Sequence, residues 1–353
     1  MKKYLLLFVI LITLIPFKNV LAEEHTYIEG EDLYNETAED IISGDFSLNV
    51  NDIIKNTLNL LFDELSKSRS EMISLLVIAA LSGLLQILKT TGDTSQTSEA
   101  AFFACFVAMA VSALNIFHIT VGYGVEVINQ ISDFVTKLSP VFMILLASGG
   151  SVSSAAAFHP LLSSAVYVMT LLVDKVIVPL VYFSSVLGIA SHLSPRLQIT
   201  AFTKLLRSTG KWILTAALTI FSGITALYGF SAPVLDAVSL KAVKFAVGSF
   251  VPVVGGLLSD TVETVLSGTK LMKNAVGTAG IISLVAVAIV PVLKILAILI
   301  MLEICSAAAE PLTDVRISKM LKEISSSVSL ILGMVITVSM LFIISISIIM
   351  SVT

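Results

Sequence analysis

Five charged side chains within apolar stretches are the candidates for chemistry in this 353-residue sequence: Asp174, Lys175, Lys294, Glu303 and Glu310. Charges in a membrane are costly and often mark a polar path or a proton relay. They also pair between helices or extend to the headgroups, which is the role we favour here. Asp174 and Lys175 lie about 100° apart on a helix and cannot face each other, whereas Glu303 and Glu310 share one face.

Enzyme signatures are largely missing from the sequence. It contains no phosphate-binding G-x-x-x-x-G-K-[ST] motif, no H-E-x-x-H zinc motif and no G-x-S-x-G nucleophile motif. Ser267 and Lys270 have the S-x-x-K spacing of some acyl enzymes, but the companion motifs are absent, so we interpret the match as chance. We therefore predict a protein that is not an enzyme and uses no cofactor or metal. If this protein moves material, we expect it either to take energy from another chain or to work passively.

The composition predicts a lipid environment for these residues. Hydrophobic residues make up 56% of the chain and charged residues only 13%, whereas soluble domains have about 25% charged residues. These values exclude a secreted globular enzyme, a basic nucleic-acid binder and a disordered scaffold. Because a helix satisfies its own backbone groups in hydrocarbon, we predict an all-α polytopic membrane protein.

The first 71 residues divide into two predicted segments. Residues 1–22 combine Lys2 and Lys3 with an apolar stretch and small residues up to Ala22, the order of a signal peptide; an uncleaved anchor helix is the alternative. Residues 23–71 carry thirteen acidic and three basic residues and are predicted to face outward. Apolar residues at helical spacing from Ile53 to Leu65 predict an amphipathic helix within this acidic segment.

Residues 72–353 are predicted to form a polytopic membrane domain with five to seven spans. The candidate stretches are Met72–Leu88, Ala101–Val121, Leu138–Phe158, Leu161–Leu193, Trp212–Phe230, Val276–Leu302 and Val328–Met350. Between the second and third, Gly122–Lys137 has one apolar and one polar face and is predicted to be a separate interfacial helix.

Charge distribution makes one of these candidates irregular. The basic segments Arg196–Lys211 and Arg316–Lys322 are predicted to be cytoplasmic. An exported N-terminus then needs an odd number of spans before Arg196, where four candidates occur. We predict that Pro140–Pro160, interrupted by glycines and serines, is a broken or re-entrant helix. The alternative is that Leu161–Leu193 folds back at Asp174, Lys175 and Pro179.

A second irregular region is predicted at Ser231–Lys273. Ala242–Leu258 is short for a span and suggests a re-entrant hairpin or a surface-lying segment, followed by a helix that starts at Asp260 and ends near Lys273. Irregular backbone at membrane depth is tolerated where protein or a cavity covers it, so both regions are candidates for a cavity or an assembly surface. The residues singled out are Gly149, Gly150, His159, Pro160, Pro252 and Gly255. For His159, a turn at the membrane boundary is favoured over a role as proton carrier.

These features leave three function classes open. The first is a membrane subunit of a multi-protein channel or secretion apparatus, and the second is a self-sufficient secondary transporter with a polar intramembrane path. A transporter of that kind usually has paired broken helices in two related halves, and no convincing internal repeat is present. The third class, an intramembrane enzyme, has no support from motifs.

Several stretches of the chain resemble the stage III sporulation protein AE family of endospore-forming bacteria. They are Ser148–Pro160, Leu205–Arg207, a region that includes Lys244-Phe245, Phe250–Gly255, Asp260 and Lys273–Gly277, and Ala309–Leu312. The family pattern has Gln at the position of Glu310. The resemblance covers most of the chain beyond about residue 65 and includes both regions that were predicted to be irregular.

The resemblance implies a polytopic protein of the mother cell, in the membrane that surrounds the forespore. It implies a channel subunit acting with the other stage III sporulation A proteins, including an ATPase subunit, and indirectly with the forespore partner Q. Such an apparatus would sustain late forespore gene expression. The implied partners are proteins and membrane lipid, not nucleic acid.

Overall fold

A computed structural model describes residues 50–91, 95–193, 199–250 and 255–351, together with Glu39 and Ser43. The described helices are α1 (Val50–Lys67), α2 (Arg69–Thr91), α3 (Ser95–Ser148), α4 (Val152–Leu172), α5 (Val178–Leu193), α6 (Thr200–Phe250), α7 (Gly255–Leu312) and α8 (Val315–Ser351), with a π-helical turn at Val173–Ile177 between α4 and α5. The described residues form no strand, and the predicted all-α class is confirmed. The predicted signal peptide lies outside the described residues.

Six helical segments of the described chain are long and apolar enough to cross a membrane. They are Arg69–Ile87, Ala100–Ser148, Val152–Leu193, Thr200–Val238, Ser267–Leu312 and Val315–Ser351. The polytopic prediction is therefore confirmed. Several of these helices are much longer than a span requires: α7 has 58 residues, or about 87 Å at about 1.5 Å per residue, against a hydrocarbon core of about 30 Å. Such helices extend beyond the hydrocarbon on one or both sides.

The separate interfacial helix predicted at Gly122–Lys137 is wrong, because α3 runs through it without a break. Its apolar face is buried among the neighbouring helices: Val127, Ile128, Ile131, Phe134 and Val135 all belong to the core. Tertiary packing, which a sequence pattern does not contain, covers the face that resembled a membrane-surface stripe. Pro140 also lies inside α3 and does not end it.

The α7–α8 hairpin forms the centre of the bundle. About half of the most apolar stretch of each helix is buried, 56% in α7 and 50% in α8, compared with 17% in α6 and 22% in α2. Helix α3 packs against both central helices, and α1, α2 and α4 to α6 lie around them. Asp314 directly precedes α8, and its Oδ1 accepts a 2.9 Å hydrogen bond from the Arg316 amide, as expected of an N-cap residue.

Contacts between residues near the helix termini define the two ends of the bundle. At the first, Arg207 near the start of α6 pairs with Glu323 near the start of α8, and Arg316 of α8 lies over the Phe102 ring near the start of α3, 6.0 Å from its centroid. This end, which we call the basic end, carries both predicted cytoplasmic segments. At the opposite end, the turn between α3 and α4 meets the second half of α6.

This arrangement accounts for the odd number of spans expected before Arg196. Three spanning segments precede it, namely α2, α3 and the continuous α4–π–α5 segment. The sequence suggested four spans because α3 contains both the second candidate span, Ala101–Val121, and the start of the third, Leu138–Phe158. The alternative in which Leu161–Leu193 folds back is wrong, since this stretch is one helical run from Val152 to Leu193.

Two helix boundaries predicted within the irregular region Ser231–Lys273 are wrong, whereas the segment predicted at Ala242–Leu258 includes residues outside the described part of the chain. Helix α6 continues to Phe250, and α7 starts at Gly255 and passes Lys273 without ending. Between them, Pro252 lies outside the described residues. The expected helix start at Asp260 and helix end near Lys273 are both inside α7.

Candidate functional site

The turn that joins α3 to α4 lies at Gly149 and Gly150, within the stretch that was predicted to be broken. Gly150 has a φ of +79°, a left-handed conformation that glycine adopts without steric cost. The Ser151 amide donates to the Leu146 carbonyl at 2.8 Å, and the Gly150 amide donates to the Ala147 carbonyl at 3.0 Å. This is the hydrogen-bond pattern with which many helices end at a glycine. The turn is therefore encoded locally by the glycine pair.

A carboxylate from a distant helix caps the start of α4. Asp236 of α6 accepts hydrogen bonds from the amides of Ser153 and Ser154, at 2.8 and 3.1 Å, and from the Ser154 hydroxyl. Asp236 is only 3% exposed, while Ser151, which occupies the N-cap position of α4, makes no side-chain cap. A negative group at a helix N-terminus is favoured by the free amides and the helix dipole. Asp236 therefore fixes α6 to the α3–α4 turn.

Of the other residues predicted to mark irregular backbone, three lie inside helices. His159 and Pro160 are exposed residues within α4, so the turn predicted at His159 is wrong. Gly255 is the first residue of α7. Among the described members of this set, only Gly149 and Gly150 lie in a turn.

At the basic end, Arg207 and Glu323 form a buried ion pair between α6 and α8 that the sequence analysis did not identify. The Nη2 atom of Arg207 donates a hydrogen bond to Glu323 Oε2, and the two side chains are 10% and 16% exposed. Gly188 of α5 makes room for the pair: a Cβ there would lie 3.2 Å from the Arg207 guanidinium and 3.4 Å from Glu323. Among the described residues, the nearby His192 Nε2 is buried with no hydrogen-bond partner.

Lys294 lies inside the bundle, whereas Asp174 and Lys175 lie on its outside. Lys294 of α7 is 7% exposed, and its Nζ is 5.4 Å from the centroid of the Tyr123 ring of α3. A cation over an aromatic face is an attractive contact, stronger when desolvated. Lys294 therefore joins α7 to α3 and does not extend to the bundle surface, and the structure does not bring it together with Asp174 or Lys175.

Glu303 and Glu310 are both exposed on α7, as the seven-residue spacing suggested. Glu303 Oε1 accepts a 2.6 Å hydrogen bond from the Ser325 hydroxyl of α8. One turn further, Ser306 and Ser318 each donate a hydroxyl to the other's carbonyl at 3.0 Å. These bonds fasten the central hairpin near the basic end with small polar side chains, as is common in membrane bundles.

Asp174 and Lys175 occupy the π turn between α4 and α5 and are both exposed. Pro179 explains the turn, because its ring excludes the carbonyl four residues back, that of Lys175, and it has no amide hydrogen to donate. The same turn keeps Val173 and Ile177 buried. Such turns are often found at functional sites.

No set of described residues forms a metal site. The part of the chain that the structure describes contains no group of three or more His, Cys, Asp or Glu side chains that could hold a metal ion. Both cysteines, Cys105 and Cys305, are free. An open cleft lies where Gly83 and Gln86 of α2 meet Pro311 to Thr313. The polar contacts described above join helices, and the arrangement supports assembly and packing of a membrane body.

Comparisons with known proteins agree with this architecture. The family model for stage III sporulation protein AE matches residues 33–353. The chain is 31% identical over 312 residues to the stage III sporulation protein AE of Bacillus subtilis (strain 168), which covers 88% of this chain and 78% of the relative. No solved structure matches the chain. The match extends through all six spanning segments, and the chain therefore belongs to the stage III sporulation protein AE family.

Proposed function

We propose that this chain is a non-enzymatic membrane subunit of a channel or secretion-like complex between mother cell and forespore. Membership of a stage III sporulation family gives the chain a role in sporulation. The observation that supports a subunit, in particular, is the uneven burial of the spans. The segments of α2, α4–α5 and α6 have only 22%, 22% and 17% of their most apolar stretch buried, which leaves large surfaces for lipid and neighbouring subunits.

The polar contacts support a scaffold role for the body. The cap by Asp236, the Arg207–Glu323 pair and the paired serines Ser306 and Ser318 each join two helices. Fixed contacts of this kind hold peripheral helices in place against the central hairpin. A rigid body with exposed apolar sides is suited to assembly with other membrane proteins.

The proposed partners are those that the family resemblance implies. They are the other stage III sporulation A proteins, among them the ATPase subunit that would supply energy, and indirectly the forespore partner Q. We propose that the basic end faces the mother-cell cytoplasm, in keeping with the preference of Lys and Arg for that side. The acidic segment 23–71 would then face the space between the two membranes.

The test is affinity purification of the tagged full chain from its own sporulating host. We expect the other stage III sporulation A proteins, including the ATPase subunit, to co-purify from the wild type. A strain that lacks this gene should form few heat-resistant spores and show low late forespore reporter activity. The tagged chain should restore both.

Two outcomes would contradict the proposal. One is recovery of the chain without any of these proteins, although it restores sporulation. The other is substrate transport by the purified chain alone in liposomes, which would favour the self-sufficient transporter. Liposomes that contain an unrelated six-helix membrane protein serve as the control for leakage.

A further inference from the structure

Two opposite charges lie side by side on the outer surface of the α4–α5 segment. Asp174 and Lys175 are exposed, and they are the only Asp, Glu, Lys or Arg residues between Lys137 and Arg196. Their helix runs from Val152 to Leu193, so they lie near its midpoint, about 30 Å from either end. A charge pair at the centre of an apolar helix is costly in lipid unless it is covered.

The part of the chain that the structure describes does not cover this pair. Within the described residues, neither side chain has a hydrogen bond or an ion pair. Exposed apolar side chains flank the charges along the same helix, with Tyr167 and Leu171 on one side and Phe183 on the other. The result is an apolar surface with one negative and one positive group at its centre.

The arrangement of these two charges is complementary to the same arrangement on a second copy of the chain. Asp174 and Lys175 are consecutive residues of a helical turn, so their side chains project in different directions and lie at nearly the same height along the helix axis. Consider a second copy that approaches along the direction midway between the two side chains. Asp174 then lies on one side of this direction and Lys175 on the other. A twofold axis along the membrane normal then places Asp174 opposite Lys175 of a second copy, and the converse, at nearly the same depth. Both copies keep the same orientation in the membrane.

We propose that this surface is an interface between two copies of this chain, joined by reciprocal Asp174–Lys175 ion pairs. Isologous contacts of this kind are the commonest in homo-oligomers. The pairing removes both charges from lipid and leaves the flanking apolar residues in contact. This inference goes beyond the proposed channel role, because it concerns a contact that the chain makes without any sporulation partner.

Charge reversal provides a sharp test. The full chain is expressed alone in a heterologous host with two different tags, and co-purification of the tags from mild detergent is measured. Wild-type copies should co-purify. Asp174→Lys alone places two lysines on the surface and Lys175→Asp alone places two aspartates there, so each should reduce self-association by about tenfold or more. Co-expression of the two single variants recreates both opposite-charge contacts and should restore association.

Restored association on co-expression of the two variants distinguishes a disrupted interface from misfolding, because a misfolded variant would not be rescued by another variant. Asp174→Glu and Lys175→Arg, which retain the charges, serve as matched controls and should associate like the wild type. The proposal is overturned if the wild-type copies do not co-purify, if the single variants associate as well as the wild type, or if the mixture is no better than either variant. None of these outcomes affects the channel proposal, which is tested in sporulating cells.

Discussion

Asp236 and Ser154 are 82 residues apart in sequence, yet the Asp236 carboxylate accepts hydrogen bonds from both the amide and the hydroxyl of Ser154. The contact joins the second half of α6 to the first turn of α4 at the end opposite the basic residues. It places a buried negative group where two helix amides have no partner within α4. The glycine-containing turn is thereby supported by a residue from another helix.

Removal of this cap should weaken the turn. We expect Asp236→Ala to leave the amides of Ser153 and Ser154 without an acceptor and to destabilise the bundle by about 1–3 kcal/mol. Thermal unfolding of the detergent-purified protein measures the change. Glu310→Ala, on the exposed face of α7, is the control and should leave the melting temperature unchanged. Equal melting temperatures for Asp236→Ala and the wild type would mean that the cap contributes no stability.

The left-handed residue in the turn should tolerate few replacements. At a φ of +79°, Gly150→Leu costs about 1–2 kcal/mol of backbone strain, whereas Gly150→Asn costs less because Asn adopts this region more readily. We expect fewer heat-resistant spores and weaker co-purification of partners with Leu than with Asn, at equal amounts of inserted protein. A Leu variant that sporulates as well as the wild type would show that the turn is not required.

The buried ion pair should show strong coupling between its two members. Arg207→Leu or Glu323→Leu leaves one charge buried without its partner, and we expect each to destabilise the protein by about 3–5 kcal/mol. The double variant leaves no such charge and should lose much less. Melting temperatures of the four proteins give this comparison. Additive losses in the double variant would be inconsistent with a direct pair.

Close packing of α2 against the end of α7 should depend on Gly83. A Cβ at this position would overlap the Leu312 carbonyl, and the neighbouring Ser82 hydroxyl accepts a 3.0 Å hydrogen bond from Thr313. We expect Gly83→Ala to displace α2 and lower the melting temperature. Gly333→Ala is the matched control, because a Cβ there has no neighbour within 4 Å, and it should be neutral or stabilising. Similar melting temperatures for both variants would contradict the close approach.

The two ends of the bundle should lie on opposite sides of the membrane. In a background with Cys105 and Cys305 replaced by alanine, single cysteines are introduced at exposed positions: Lys319 and Lys322 at the basic end, and Val152 and Ser267 at the other. A membrane-impermeant thiol reagent should label only Val152→Cys and Ser267→Cys in intact cells. Permeabilisation should expose the other two. Labelling of all four in intact cells would reject the six-span arrangement.

The sequence predicted those structural features that are determined by neighbouring residues. The apolar stretches predicted the spanning helices, and the pair Gly149-Gly150 predicted a break that the backbone makes for the expected steric reason. Where the pattern depended on tertiary packing, prediction failed. Gly122–Lys137 has a polar and an apolar face, a pattern that is typical of a membrane-surface helix. The sequence does not reveal that other helices bury the apolar face.

The polar contacts between helices were harder to predict. Asp236 lies in the middle of a helix with no local motif, and its partners are in a different helix. Arg207 was recognised as part of a basic segment and of a stretch that resembles the family, but nothing nearby in the sequence indicates Glu323 as its partner. The signal that could have suggested Asp236 is indirect: the start of α4 has free amides, and Ser151 makes no side-chain cap.

The central position of α8 has a consequence for biogenesis. This helix contacts α3, α5, α6 and α7, yet it is the last of the six to leave the ribosome. The earlier helices therefore enter the bilayer before α8 has been synthesised. Until then, the faces that later pack against α8 are in contact with lipid or with an insertase. The core is therefore completed only when this last helix in chain order inserts among the others.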